Sequence, residues 1–133
     1  MLGLEAVPDR LLREISLGRW EGKTRDELRA EFPELWEAWT RQPDWDLVPE
    51  GEGAEPFERR VADAVQALFE RHAGGDVVVV THGGVIQSAL AGVVGRRTRG
   101  LFPFVIHNAS LTVLQRLNGR TVVTAVNDTC HLS

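Results

Sequence analysis

Thr81-His82-Gly83-Gly84 stands directly after four valines, Val77 to Val80. A helix that opens on two glycines offers unpaired amides and the positive end of its dipole, and both favour an anion. With no Cβ in the way, a phosphate can approach that backbone closely. His82 would stand at the carboxyl end of the preceding strand, the end at which open α/β sheets bind ligands. These four residues therefore read as a phosphate-handling junction. The plainer alternative is a histidine that caps a strand end or is merely buried. The valines before it and the glycines after it favour the functional reading. Glu14 is the second candidate. Cleavage of a phosphate ester needs a proton donor to the leaving oxygen, and a carboxyl in a partly desolvated cleft can supply it. Taken alone, Glu14 reads as a solvated carboxylate at a helix start.

The surrounding pattern supplies elements that could position these groups. Val77–Val80 does not alternate, and glycines bound it, so it reads as a strand buried on both faces, as in a parallel sheet. From Gly83 to about Val94 a helix follows, with Val85, Ile86, Ala89, Leu90 and Val93 apolar. Before the valines, Phe57, Val61, Ala64, Val65, Leu68 and Phe69 keep the helical period, giving a helix from about Glu55 to His72 that Gly74-Gly75 ends. Thr24-Arg25-Asp26-Glu27 is a capping box that starts a helix near Arg25, and Pro33 interrupts or restarts it. Arg41 to Pro56 carries three prolines, two glycines and five acids and reads as a long loop. Trp36, Trp39 and Trp45 would either roof the site there or pack in the core. Gly18 and Gly22 flank Trp20 in a shaped loop, and Leu4 to Val7 is a short apolar stretch of strand character. Arg96 to Gly100 is a basic loop. Ser110–Leu117, the turn Asn118-Gly119 and Arg120–Val126 form a hairpin. The order predicts an α/β three-layer sandwich, α/β/α, with some antiparallel character.

The 133 residues fit one domain, spanning 1–133. The formal net charge of −4, with acids and bases interspersed, argues against a nucleic-acid footprint. The longest purely apolar run is Val77–Val80, far short of a membrane span. Cys130 is the single cysteine and can form no internal disulfide, which suggests a reducing, cytoplasmic setting. His82 has no histidine or carboxylate at ligand spacing, so no metal site is expected. A nucleotide-binding reading is weak, for want of a G-x-G-x-x-G segment or a Walker lysine.

Five segments, in order, resemble the histidine phosphatase superfamily, also called phosphoglycerate mutase-like. Leu12 to Gly22 (LREISLGRWEG) is similar to its "L-x-E-x-x-x-G-x-x-E-G" segment, and Thr81 to Ile86 to its second histidine motif. Pro49-Glu50-Gly51-Glu52-Gly53, with Phe57, Arg60 and Val61, resembles "P-G-G-E-S … F-x-x-R-V". Asn108-Ala109-Ser110 matches a small-residue segment, and Asn127 to Leu132 the ending "N-D-x-x-H-L". The resemblance implies that His82 is the second active-site histidine, which contacts the transferring phosphoryl group. It implies that Glu14 is the acid/base, that the Gly83 amide contacts phosphate, and that Asn108 belongs to the pocket wall. His131 is then structural, and His72 and His107 match no catalytic position. No metal or other cofactor is implied.

The family's nucleophilic histidine belongs to an "R-H-G" motif on a first strand, and this chain has no such motif. Nor has it the later "S-S-x-x-x-R-A-x-x-T-A" segment, which carries a phosphate-binding arginine. The expectation is a domain whose front, including a central strand beside Val77–Val80, lies upstream of Met1. Such a chain should be unstable, pair with another chain or rely on a segment outside it. It should also be inactive alone, lacking an in-line nucleophile and charge neutralisation. The activity implied for the family member is hydrolysis of a small phosphomonoester through a phosphohistidine. The short stretch from Glu14 to His82 favours a phosphatase over a mutase. A degenerate binding or dimerisation module is the alternative from a different class. The expected partners are a small phosphorylated substrate and, through an exposed edge, a second copy; no nucleic acid and no membrane are expected.

Overall fold

In a computed structural model, which describes residue 3 and residues 5–133, four α-helices and one hairpin form the regular structure. Helix α1 (Arg25–Glu31) starts on the expected capping box: Glu27 N donates to Thr24 Oγ1 at 3.3 Å and Thr24 N to Glu27 Oε2 at 2.7 Å. Pro33 then opens α2 (Pro33–Arg41), where its missing N–H costs nothing. The predicted long helix is α3 (Ala54–Arg71), and the helix after the glycines is α4 (Gly83–Val93). The hairpin pairs β1 (Leu111–Leu117) with β2 (Arg120–Asp128), antiparallel, with Leu117 opposite Arg120. Its turn residues Asn118 and Gly119 both take positive φ, 49° and 76°, as a type I′ turn requires.

The core gathers beneath α3. Phe57, Val61 and Ala64 are fully buried. Ile15, Trp20, Leu28, Trp45, Val48 and Val85 pack into the same cluster as Phe57 and Val61, so α3 ties the first loop, the long loop and α4 together. The tryptophans fall on the packing side of the two readings. Trp20 and Trp45 are buried, and Trp39 lies between them with ring centroids 5.5 and 4.7 Å away.

The valine run departs from expectation. Val77–Val80 forms no ladder and is exposed, from 40% at Val79 to 94% at Val80. Among the described residues the only ladder is β1–β2. Burial of a strand on both faces needs neighbours on both sides, and an apolar run alone cannot supply them. Of the apolar stretch Leu4–Val7, Leu4 lies outside the described residues, and Glu5 to Val7 form no strand.

Candidate active site

Two hydrogen bonds join segments about seventy residues apart in sequence. Thr81 Oγ1 donates to the Leu12 carbonyl at 2.6 Å. Gly84 N donates to Glu14 Oε2 at 3.0 Å. The other carboxylate oxygen, Oε1, accepts from Ile15 N at 3.0 Å. Glu14 thus rests half-buried on the first turn of α4, where unpaired amides and the helix dipole favour a negative group.

His82 is the N-cap residue of α4, extended at φ −118° and ψ 161°, and its carbonyl accepts from Ile86 N at 3.1 Å. Its side chain makes no capping bond, so the exposed imidazole is available to another group. The two glycines differ. Gly83 is exposed, and a Cβ there would meet nothing within 4 Å. Gly84 is buried, and a Cβ there would overlap the Glu14 carboxylate, its Cδ lying 3.0 Å away. One glycine leaves room for an incoming anion and the other makes room for Glu14.

Glu14, His82 and Gly83 therefore share one helix N-terminus. No hydrogen bond links Asn108 to them. It is exposed, between His107, whose amide donates to Asn127 Oδ1 at 2.6 Å, and Ala109 at φ 59°. His131 lies in a terminal 3-10 turn (Cys130–Leu132), and His72 caps the C-terminus of α3.

The basic loop carries less free charge than its composition suggests. Glu58 on α3 accepts from Arg97 Nε and Thr98 N, both at 2.8 Å, and from Arg99 N at 3.1 Å. Arg99 pairs with Asp44 at 2.7 Å and Asp46 at 2.9 Å. Burial pushes the Glu58 carboxyl up, but the bonds from Arg97, Arg99 and Thr98 outweigh it and leave it below the ordinary carboxylate range. Asp44 behaves likewise, with burial opposed by Arg99 and the Asp46 amide.

Sequence reasoning placed Arg60 and Glu52 in a motif without giving them a task. They form a pair only 11% exposed on each side, packed against the loop that carries Glu14. The available signal was positional: Arg60 falls at helical spacing among Phe57, Val61 and Ala64, on the apolar face of α3.

Residues 1–129 match the family model described as histidine phosphatase superfamily (branch 1). Phosphoserine phosphatase 1 of Hydrogenobacter thermophilus is 28% identical over 129 residues, covering 97% of this chain and 61% of that protein. Phosphoglycerate mutase-like protein 4 of Arabidopsis thaliana is 38% identical over 86 residues, 64% of this chain and 37% of that protein. The solved structure of Bacillus stearothermophilus YhfR superposes with a TM-score of 0.82 at 33% identity, covering 94% of this chain and 62% of that one. The chain thus spans about three-fifths of the length of the phosphoserine phosphatase that it matches. The family match over nearly all its residues, and the likeness to YhfR in fold, place the chain in the histidine phosphatase superfamily.

Proposed function

We propose that this chain carries the acid/base and the second histidine of a phosphomonoesterase that acts on a small phosphorylated metabolite. The observation that carries the reading is the bond from Gly84 N to Glu14 Oε2, which holds a carboxylate at the helix end capped by His82. A phosphoryl group entering over Gly83 would meet the imidazole of His82 and the open end of α4, both suited to its charge.

In the proposed reaction the nucleophile is an imidazole nitrogen supplied from outside these 133 residues. It attacks phosphorus as the ester P–O bond breaks, and protonated Glu14 gives its proton to the leaving oxygen. Water then attacks the phosphohistidine and Glu14 takes a proton back, releasing inorganic phosphate and restoring the imidazole. His82 stays unmodified and offsets charge on the phosphoryl oxygens. The names of the relatives support phosphatase chemistry and make phosphoserine the first substrate to try. The assignment of Asn108 to the pocket wall is proposed on the family resemblance alone.

The test is turnover of para-nitrophenyl phosphate and phosphoserine by the 133-residue chain and by a polypeptide that adds the matching front of a relative. The chain alone should be inactive, and the longer polypeptide active and dependent on His82 and Glu14. Robust turnover by the chain alone, abolished by His82→Ala, would overturn the assignment of the nucleophile. The exposed valine run favours one second reading, a module whose task is pairing with another chain. An inactive longer polypeptide that still forms a stable complex through that run would favour it.

A further inference from the structure

An arginine near a phosphate site is ordinarily read as a ligand for the anion. The hydrogen bonds of Arg60 argue otherwise. A guanidinium has five N–H donors. Nη1 donates to the carbonyls of Leu11 at 2.7 Å and Arg13 at 2.9 Å. Nη2 donates to the Glu14 carbonyl at 3.0 Å and to Glu52 Oε2 at 2.8 Å. Nε donates to Glu52 Oε1. Every donor is engaged, three of them by backbone carbonyls of the short segment that carries Glu14, and none remains for a substrate.

Glu52 completes the grip on the far side of Glu14. Its amide donates to the Ser16 carbonyl at 2.9 Å, and its Oε2 accepts from Ser16 N at 3.3 Å. The Arg60 guanidinium also lies over the Phe57 ring, 4.8 Å from its centre, on the buried face of α3. Burial pushes the Glu52 carboxyl up, yet the Arg60 bonds, the Ser16 amide and the charges of Arg60 and Arg13 hold it below its ordinary value. The pair is therefore ionised at neutral pH, in a geometry that a lysine could not reproduce.

We infer that Arg60, clamped by Glu52, is the positioning residue that presents Glu14 to the N-terminus of α4. Arg60 holds the carbonyls of Leu11, Arg13 and Glu14 and Glu52 holds Ser16, so the Glu14 side chain projects onto Gly84 from a fixed backbone. This rests on the reading of Glu14 as the acid/base of the site.

The Gly84 amide reports on that contact without any need for activity. Its proton shift, followed by NMR from pH 3 to 8 in the 133-residue chain, should differ between the parent and Glu14→Gln, which removes the carboxylate charge. That difference is the part due to Glu14. Arg60→Lys keeps charge and bulk but concentrates its donors on one atom, and should lose about half or more of that part. Amides of the β1–β2 hairpin should stay in place. Glu52→Gln, which leaves Arg60 without its ionic partner, should give a smaller loss in the same direction. If the Gly84 profile ignores Glu14→Gln, the contact itself is wrong and the reading of Glu14 fails with it. If it depends on Glu14 but survives in folded Arg60→Lys, the positioning role is overturned and the reading of Glu14 stands. Should Arg60→Lys not fold, the Glu52→Gln profile decides by the same criterion.

Discussion

Glu14 keeps its place because Gly84 has no side chain. A methyl group there would occupy the space of the carboxylate, and Glu14, being the flexible partner, would move. Gly84→Ala gains helix propensity, worth about 1 kcal/mol, but loses a charged hydrogen bond worth about 1.5–3 kcal/mol. A net loss of roughly 1 kcal/mol is expected. Gly83→Ala meets open space and should be neutral or slightly stabilising. Urea midpoints of the two variants check this, and equal midpoints would mean that Glu14 does not depend on the missing Cβ. The junction at His82 was legible in sequence because valines, histidine and glycines are contiguous. The partnership of Glu14 with it was visible only through the family resemblance. No local pattern ties a carboxylate to an amide seventy positions away. Arg60 was legible as a charge on an apolar helix face, but which atoms it serves depends on where the first loop crosses α3.

Helices α1, α2 and α3 and the hairpin could be read because their signals are local: a capping box, a proline at a first turn, a helical period, an Asn-Gly turn. The loop of Arg96 to Arg99 shows where that stops. Its charges look free in sequence, yet carboxylates some 40 to 55 residues distant meet Arg97 and Arg99. Glu58 is the hub, joining α3 to the loop through two amides, a hydroxyl and a guanidinium. Its carboxyl lies below the ordinary value of 4.5 in the folded protein. The unfolded chain therefore binds a proton first as pH falls. The stability contributed by Glu58 is complete above about pH 4.5 and drains away as pH drops through the folded value. Glu52 and Asp44 act in the same direction. The melting temperature should fall on acidification below about pH 4.5. Glu58→Gln should lower it at pH 7 and flatten that fall. An acid limb of wild-type steepness in Glu58→Gln would remove Glu58 as a source of the acid sensitivity.

Across the whole molecule, the valine run is the largest mismatch between composition and surroundings. Its exposure alternates with the period of a strand: Val77 and Val79 are 42% and 40% exposed, Val78 and Val80 are 78% and 94%. One face is partly covered and the other is open. Among the described residues the run joins no ladder, so its backbone polar groups can pair with a further strand. Leu101, Val105 and Leu111 add exposed apolar surface, each more than half exposed. A chain with this edge is expected to self-associate as its concentration rises, through strand pairing along residues 77–80. Lysines at Val78 and Val80 would stand on the open face and repel a second edge, while leaving the covered face unchanged. Val78→Lys combined with Val80→Lys should therefore keep the stability within about 1 kcal/mol of the parent and shift sedimentation toward monomer. Val77→Lys with Val79→Lys, on the covered face, should destabilise by roughly 1–3 kcal/mol. Sedimentation velocity over a concentration series separates the cases. Association that survives the outward lysines would place the contact elsewhere, on the hairpin or the surface around Leu101. Loss of stability from the outward pair would mean that residues 78 and 80 are covered in solution, and that the open face is closed by a partner already bound.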